Sequence, residues 1–69
     1  MSPERLVYMA NQIGKYFASQ HGADPAAGIA DHLKKFWDPR MRKEIIAHAD
    51  HGGAGLDPAV LRAVQALEG

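Results

Sequence analysis

Four prolines punctuate this chain, and each follows a residue that caps helices: Ser2-Pro3, Asp24-Pro25, Asp38-Pro39 and Asp57-Pro58. A Ser or Asp at the N-cap accepts a hydrogen bond from a first-turn N–H that has no partner inside the helix. Proline at the next position brings a preset φ and no N–H of its own to satisfy. The pairs therefore predict four helix starts. Any single Asp-Pro pair can also be a plain turn, so the pattern between the pairs has to decide.

That pattern is helical throughout. From Pro3 to Ser19 or Gln20, Leu6, Ala10, Ile13 and Phe17 recur at helical spacing, with Met9 and Tyr16 widening the stripe and Glu4, Asn11, Lys15 and Ser19 on the opposite side. Gly14 inside this segment costs roughly 1 kcal/mol relative to Ala, which predicts a close helix contact there, and Gly22 is a natural stop. From Pro25 to about Phe36 the stripe is Ala26, Ile29, Ala30, Leu33 and either Phe36 or Trp37. The third segment runs from Pro39 to near His51 with Met41, Ile45 and Ala49 on one side. A link, GGAGL, expected to be flexible, precedes a last helix with Val60, Leu61, Val64 and Leu67 inward. No strand-like alternation competes. The expectation is one all-α domain over residues 1–69, a small bundle of four short helices, with Leu6, Ile13, Phe17, Ile29, Leu33, Met41, Ile45, Leu61 and Val64 supplying its core.

Size limits what such a bundle can do alone. A chain of 69 residues is one domain at most, and at this length only about 60% of the unfolded chain's surface is buried on folding. Domains this small without a staple often lean on a partner. Here there is no Cys, hence no disulfide, thiolate zinc site, iron–sulfur ligation or cysteine nucleophile. MSPERLVYMANQ lacks a basic segment followed by a long apolar run, and nowhere do about 18 apolar residues run together. A soluble cytoplasmic chain with no membrane partner is expected.

Candidate chemistry is sparse. His48 and His51, three apart on a helix with Asp50 nearby, could both reach one metal, but two ligands at a helix end do not close a tetrahedral site. His also suits the negative end of a helix dipole. His21 and His32 have no nucleophile in view, and the only serines, Ser2 and Ser19, are a cap and a polar-face residue. HGGAG, residues 51–55, lacks the spacing, the preceding strand and the Lys of a phosphate-binding loop, so a helix stop and linker is the better reading. No catalytic, cofactor-binding or metal-binding residue is assigned.

The richest stretch is KKFWDPRMRKE, residues 34–44, which holds the only Trp, one of two Phe and five of the eight basic residues. Three readings compete. Phe36 and Trp37 could anchor the junction of the second and third helices. An exposed Trp37 flanked by Arg40 and Arg42 could be a docking surface, since Trp and Arg are enriched at interface hot spots. Cations alternating with aromatics over 34–43 could also bind a single-stranded nucleic acid, although the net charge is zero. The first two are compatible. Trp37, Pro39, Arg40 and Arg42 are the candidate partner-binding residues, with Tyr8 or Tyr16 as a second contact.

MANQIGKYFA (9–18, from Met9), AAGIADHLKKFWDPRMRKEIIAH (26–48) and GGAGLDPAVLRAV (52–64) together resemble the delta-subunit family of cytosolic, NAD-dependent, molybdenum- or tungsten-containing formate dehydrogenase. The resemblance spans nearly the whole chain. It implies a non-catalytic accessory subunit that binds and stabilises, or helps assemble, a complex oxidising formate with NAD to carbon dioxide and NADH. It also implies that the partner subunits carry the metal pterin, the iron–sulfur clusters and FMN, and that this chain carries none. The alternative is a free-standing helical module binding nucleic acid through residues 34–43.

Overall fold

The computed structural model describes residues 2–19 and 24–67. Among them each cap–proline pair opens a helix: α1 (Pro3–Ala18), α2 (Pro25–Phe36), α3 (Pro39–Asp50) and α4 (Pro58–Leu67), with no strand among the described residues. Three of the four caps act through their side chains as the sequence predicts. Ser2 Oγ accepts from the Arg5 N–H at 3.3 Å, Asp24 Oδ1 from Ala26 at 3.1 Å and Asp38 Oδ1 from Met41 at 2.9 Å. At α4 the Asp57 carbonyl accepts the first helical bond, from Leu61 at 2.9 Å. Helix α1 ends at Ala18 with Ser19 as its C-cap; Gln20, His21 and the Gly22 stop lie outside the described residues.

Packing does not follow chain order. Helix α2 packs most extensively on α4, α1 lies against α2 and α3, and α4 closes on α3, while consecutive α2 and α3 make no extensive contact. The reason sits at their junction. Pro39 disfavours helical backbone at Asp38, and Trp37 and Asp38 are accordingly extended, with ψ of 138° and 165°. The chain turns a corner there, and α3 leaves α2 to reach α1 and α4.

The core between the helices is entirely apolar among the described residues: Leu6, Ala10, Ile29, Ala30, Leu33, Trp37, Ile45, Ala49, Val60, Ala63 and Val64 are buried. Ile13, Phe17, Met41 and Leu61, expected within it, are only partly buried and pack against its edge. Val60, Ala63 and Trp37 take their central places. Gly14 does mark a close approach. A Cβ there would sit 2.5 Å from Val60 Cγ2, so the missing side chain is what lets α1 and α4 meet.

The link between α3 and α4 departs from the flexible segment expected. Helix α3 closes with paired bonds, Gly53 N–H to the His48 carbonyl at 3.0 Å and Gly52 N–H to Ala49 at 3.2 Å, with Gly52 at φ 108°, the Schellman arrangement that favours Gly just past the cap. Asn11 of α1 then grips the link. Its Nδ2 donates to the Gly55 carbonyl at 2.8 Å and its Oδ1 accepts from the Asp57 N–H at 3.0 Å. His48 Nε2 adds a bond to the Ala54 carbonyl at 2.8 Å. Asn11, placed on the polar side by periodicity, is the residue that ties the two halves of the chain together.

Candidate partner-binding site

The adjacent aromatics of the 34–44 stretch part company at the corner. Trp37 is one helical turn after Leu33 and stays in line with the buried stripe of α2, where its exposure is 6%. Phe36 is one turn after His32, on the flank of that stripe, and is 72% exposed. Trp37 is thus a core residue and not the exposed docking aromatic that one reading required. Its burial also removes one of the two stacking platforms on which the nucleic-acid reading relied.

The basic residues around the corner border an open groove of about 460 Å³, lined by Lys34 at the end of α2, by Pro39, Arg42, Lys43 and Ile46 of α3, and by Leu67 at the end of α4. Helical spacing explains the α3 contribution, since Pro39, Arg42, Lys43 and Ile46 fall at i, i+3, i+4 and i+7 on one face. The floor is apolar and the rim cationic. Arg42 Nε is buried without a hydrogen-bond partner. The ion pair among the described residues is Lys35 Nζ to Asp31 Oδ2 at 2.9 Å, exposed and one turn apart on α2, and no described carboxylate pairs with Lys34, Arg42 or Lys43. A buried donor lacking an acceptor costs on the order of 1–3 kcal/mol, and the guanidinium fork matches a carboxylate in two parallel bonds.

Of the residues singled out from sequence, the groove unites Pro39 and Arg42. Arg40 is exposed on α3 but does not line it. Tyr8 and Tyr16, 65% and 63% exposed, lie on α1 away from it. Tyr16 instead begins an aromatic row. Its ring meets Phe17 edge-on at 5.1 Å, Phe17 meets His32 at 6.2 Å, and His32 meets Phe36 at 4.6 Å. Sequence reasoning did not assign Lys34, Lys43, Ile46 or Leu67 to the site. The i, i+3, i+4, i+7 set on α3 was a usable signal for Lys43 and Ile46, whereas Leu67 comes from a helix whose approach no local pattern encodes.

The histidines are engaged by backbone. A carbonyl can only accept, so His48 carries its proton on Nε2 toward Ala54, and His51 carries one on Nδ1 toward the Ala47 carbonyl at 2.8 Å. No three His, Asp or Glu side chains among the described residues converge as a metal site would require. The N–H groups of Gly52 and Gly53 are used in closing α3, which leaves the imagined phosphate cradle without donors at those positions. No helix among the described residues is long and apolar enough to cross a membrane.

Neither the curated proteins nor the solved structures give a significant match. A family model described as the NADH-dependent formate dehydrogenase delta subunit FdsD matches residues 5–64, from the first turn of α1 to the middle of α4, taking in the Asn11 clamp, the corner at Trp37 and most of the basic groove. With that match covering most of the chain, this four-helix protein belongs to the formate dehydrogenase delta-subunit family.

Proposed function

We propose that the chain is a non-catalytic accessory subunit that binds and stabilises, or helps assemble, a cytoplasmic NAD-dependent formate dehydrogenase, meeting its partners through the basic end of the bundle. The observation that carries this reading is the groove beside the α2–α3 corner, where cations with no carboxylate partner among the described residues surround an apolar floor. Pro39, Arg40 and Arg42 are the contact residues, and Tyr8 or Tyr16 forms a second one. Trp37 serves by holding the corner from within. The metal pterin, iron–sulfur clusters and FMN belong to the partner subunits, and formate oxidation takes place there.

The test compares the formate dehydrogenase complex purified with and without this chain. Loss of the chain is expected to lower metal content, formate oxidation or thermal stability of the remaining subunits. If all three are unchanged, the chain is not a stabiliser.

A further inference from the structure

We infer that the groove between α2, α3 and α4 seats one acidic segment of a partner subunit, a short stretch that presents a carboxylate beside an apolar side chain. The inference rests on the accessory-subunit reading and names what the contact recognises. Pro39, Ile46 and Leu67 offer the apolar side chain a floor, while Lys34 of α2 and Arg42 and Lys43 of α3 border it with positive charge. No acidic residue lines the groove among the described residues. The chain as a whole is neutral, so this clustering is local, with Glu44, next to Lys43, turned to a different hollow beside Pro3, Ala47, His48 and His51.

Arg42 is the anchor. Its Nε is buried and has no acceptor, and no carboxylate of the described chain pairs with its guanidinium. A partner carboxylate would pair with the terminal guanidinium nitrogens, which unlike Nε are not closed off by the fold, with the planar fork fixing its orientation and Lys34 and Lys43 drawing it in from a distance. A nucleic-acid strand fits less well. None of the described residues lining the groove is an aromatic on which a base could stack, and a phosphate backbone makes no use of an apolar floor.

The experiment co-expresses the other formate dehydrogenase subunits with the tagged chain and measures its retention and apparent affinity. The variants are wild type, Lys34→Glu/Lys43→Glu and Arg42→Lys, each checked for an unchanged helical spectrum and melting curve. The first two positions are exposed, so their reversal leaves the core alone. The expected result is about tenfold or greater weakening for the double reversal, since like charges set against one another at an interface are strongly disfavoured. A comparable loss is expected for Arg42→Lys, which keeps the charge but removes Nε and the fork. Wild-type binding is expected to fall as salt is raised from about 50 to about 500 mM. Wild-type retention by both variants overturns the groove while leaving the accessory role standing, whereas failure of the wild-type chain to associate at all overturns the accessory role itself. Self-association of the chain abolished by the same reversals, or tight binding of a single-stranded oligonucleotide, would assign the groove to another occupant and overturn the inference.

Discussion

Trp37→Ala should unfold this protein before it undocks it. The indole is buried at the corner where α2 ends, and truncating a buried Trp typically costs about 3–5 kcal/mol through lost transfer energy and the cavity left behind. Its neighbour provides the control. Phe36 is exposed, so Phe36→Ala should change stability by no more than about 0.5 kcal/mol. Urea denaturation of the two variants checks the contrast, and equal losses would mean that the corner is packed differently from the geometry described. The sequence left this choice open for a physical reason. Both rings sit near the stripe of α2, and which one turns inward depends on where the helix stops and on the extended backbone that Pro39 imposes at Asp38.

Elements were legible where their determinants are local. A cap and its target are at most three residues apart, as in Asp38 to Met41, so the helix starts could be read directly; Asp38→Ala should cost about 1 kcal/mol, seen as a lower urea midpoint with an unchanged m value. The link between α3 and α4 is the opposite case. Asn11 reaches it across 44 and 46 positions of sequence, and no periodicity encodes such a bond, which is why GGAGL reads as loose in the sequence and is tied down in the fold. Asn11→Ala should therefore cost about 1–2 kcal/mol, the net worth of two exposed hydrogen bonds. It should also speed hydrogen exchange at the Asp57 amide more than at amides in the middle of α2. Uniform acceleration across the chain would instead indicate global destabilisation and no local clamp.

At the scale of the whole molecule, a small core leaves room for a partner to add stability. The described chain has a Cα radius of gyration of 10.8 Å and an apolar interior drawn from short helices, so its stability alone should be modest. The site was only half legible for a related reason: the basic stretch and Arg42 stand out in sequence, but the groove exists only because Leu67 of α4 arrives beside α3. A partner that binds the folded chain and not the unfolded one stabilises it by mass action, about 2.7 kcal/mol when free partner is at 100 times Kd. For a domain of this size each kcal/mol moves the midpoint by about 4–8 °C. Adding partner subunits in that excess should raise the melting temperature of the chain by roughly 10–20 °C, followed by hydrogen exchange or a label on the chain so that partner unfolding is not counted. The shift should shrink for Lys34→Glu/Lys43→Glu, whose own melting temperature without partner should match wild type. A wild-type shift of under about 3 °C at saturating partner would mean that the partner does not prefer the folded bundle, and that the small core suffices without it.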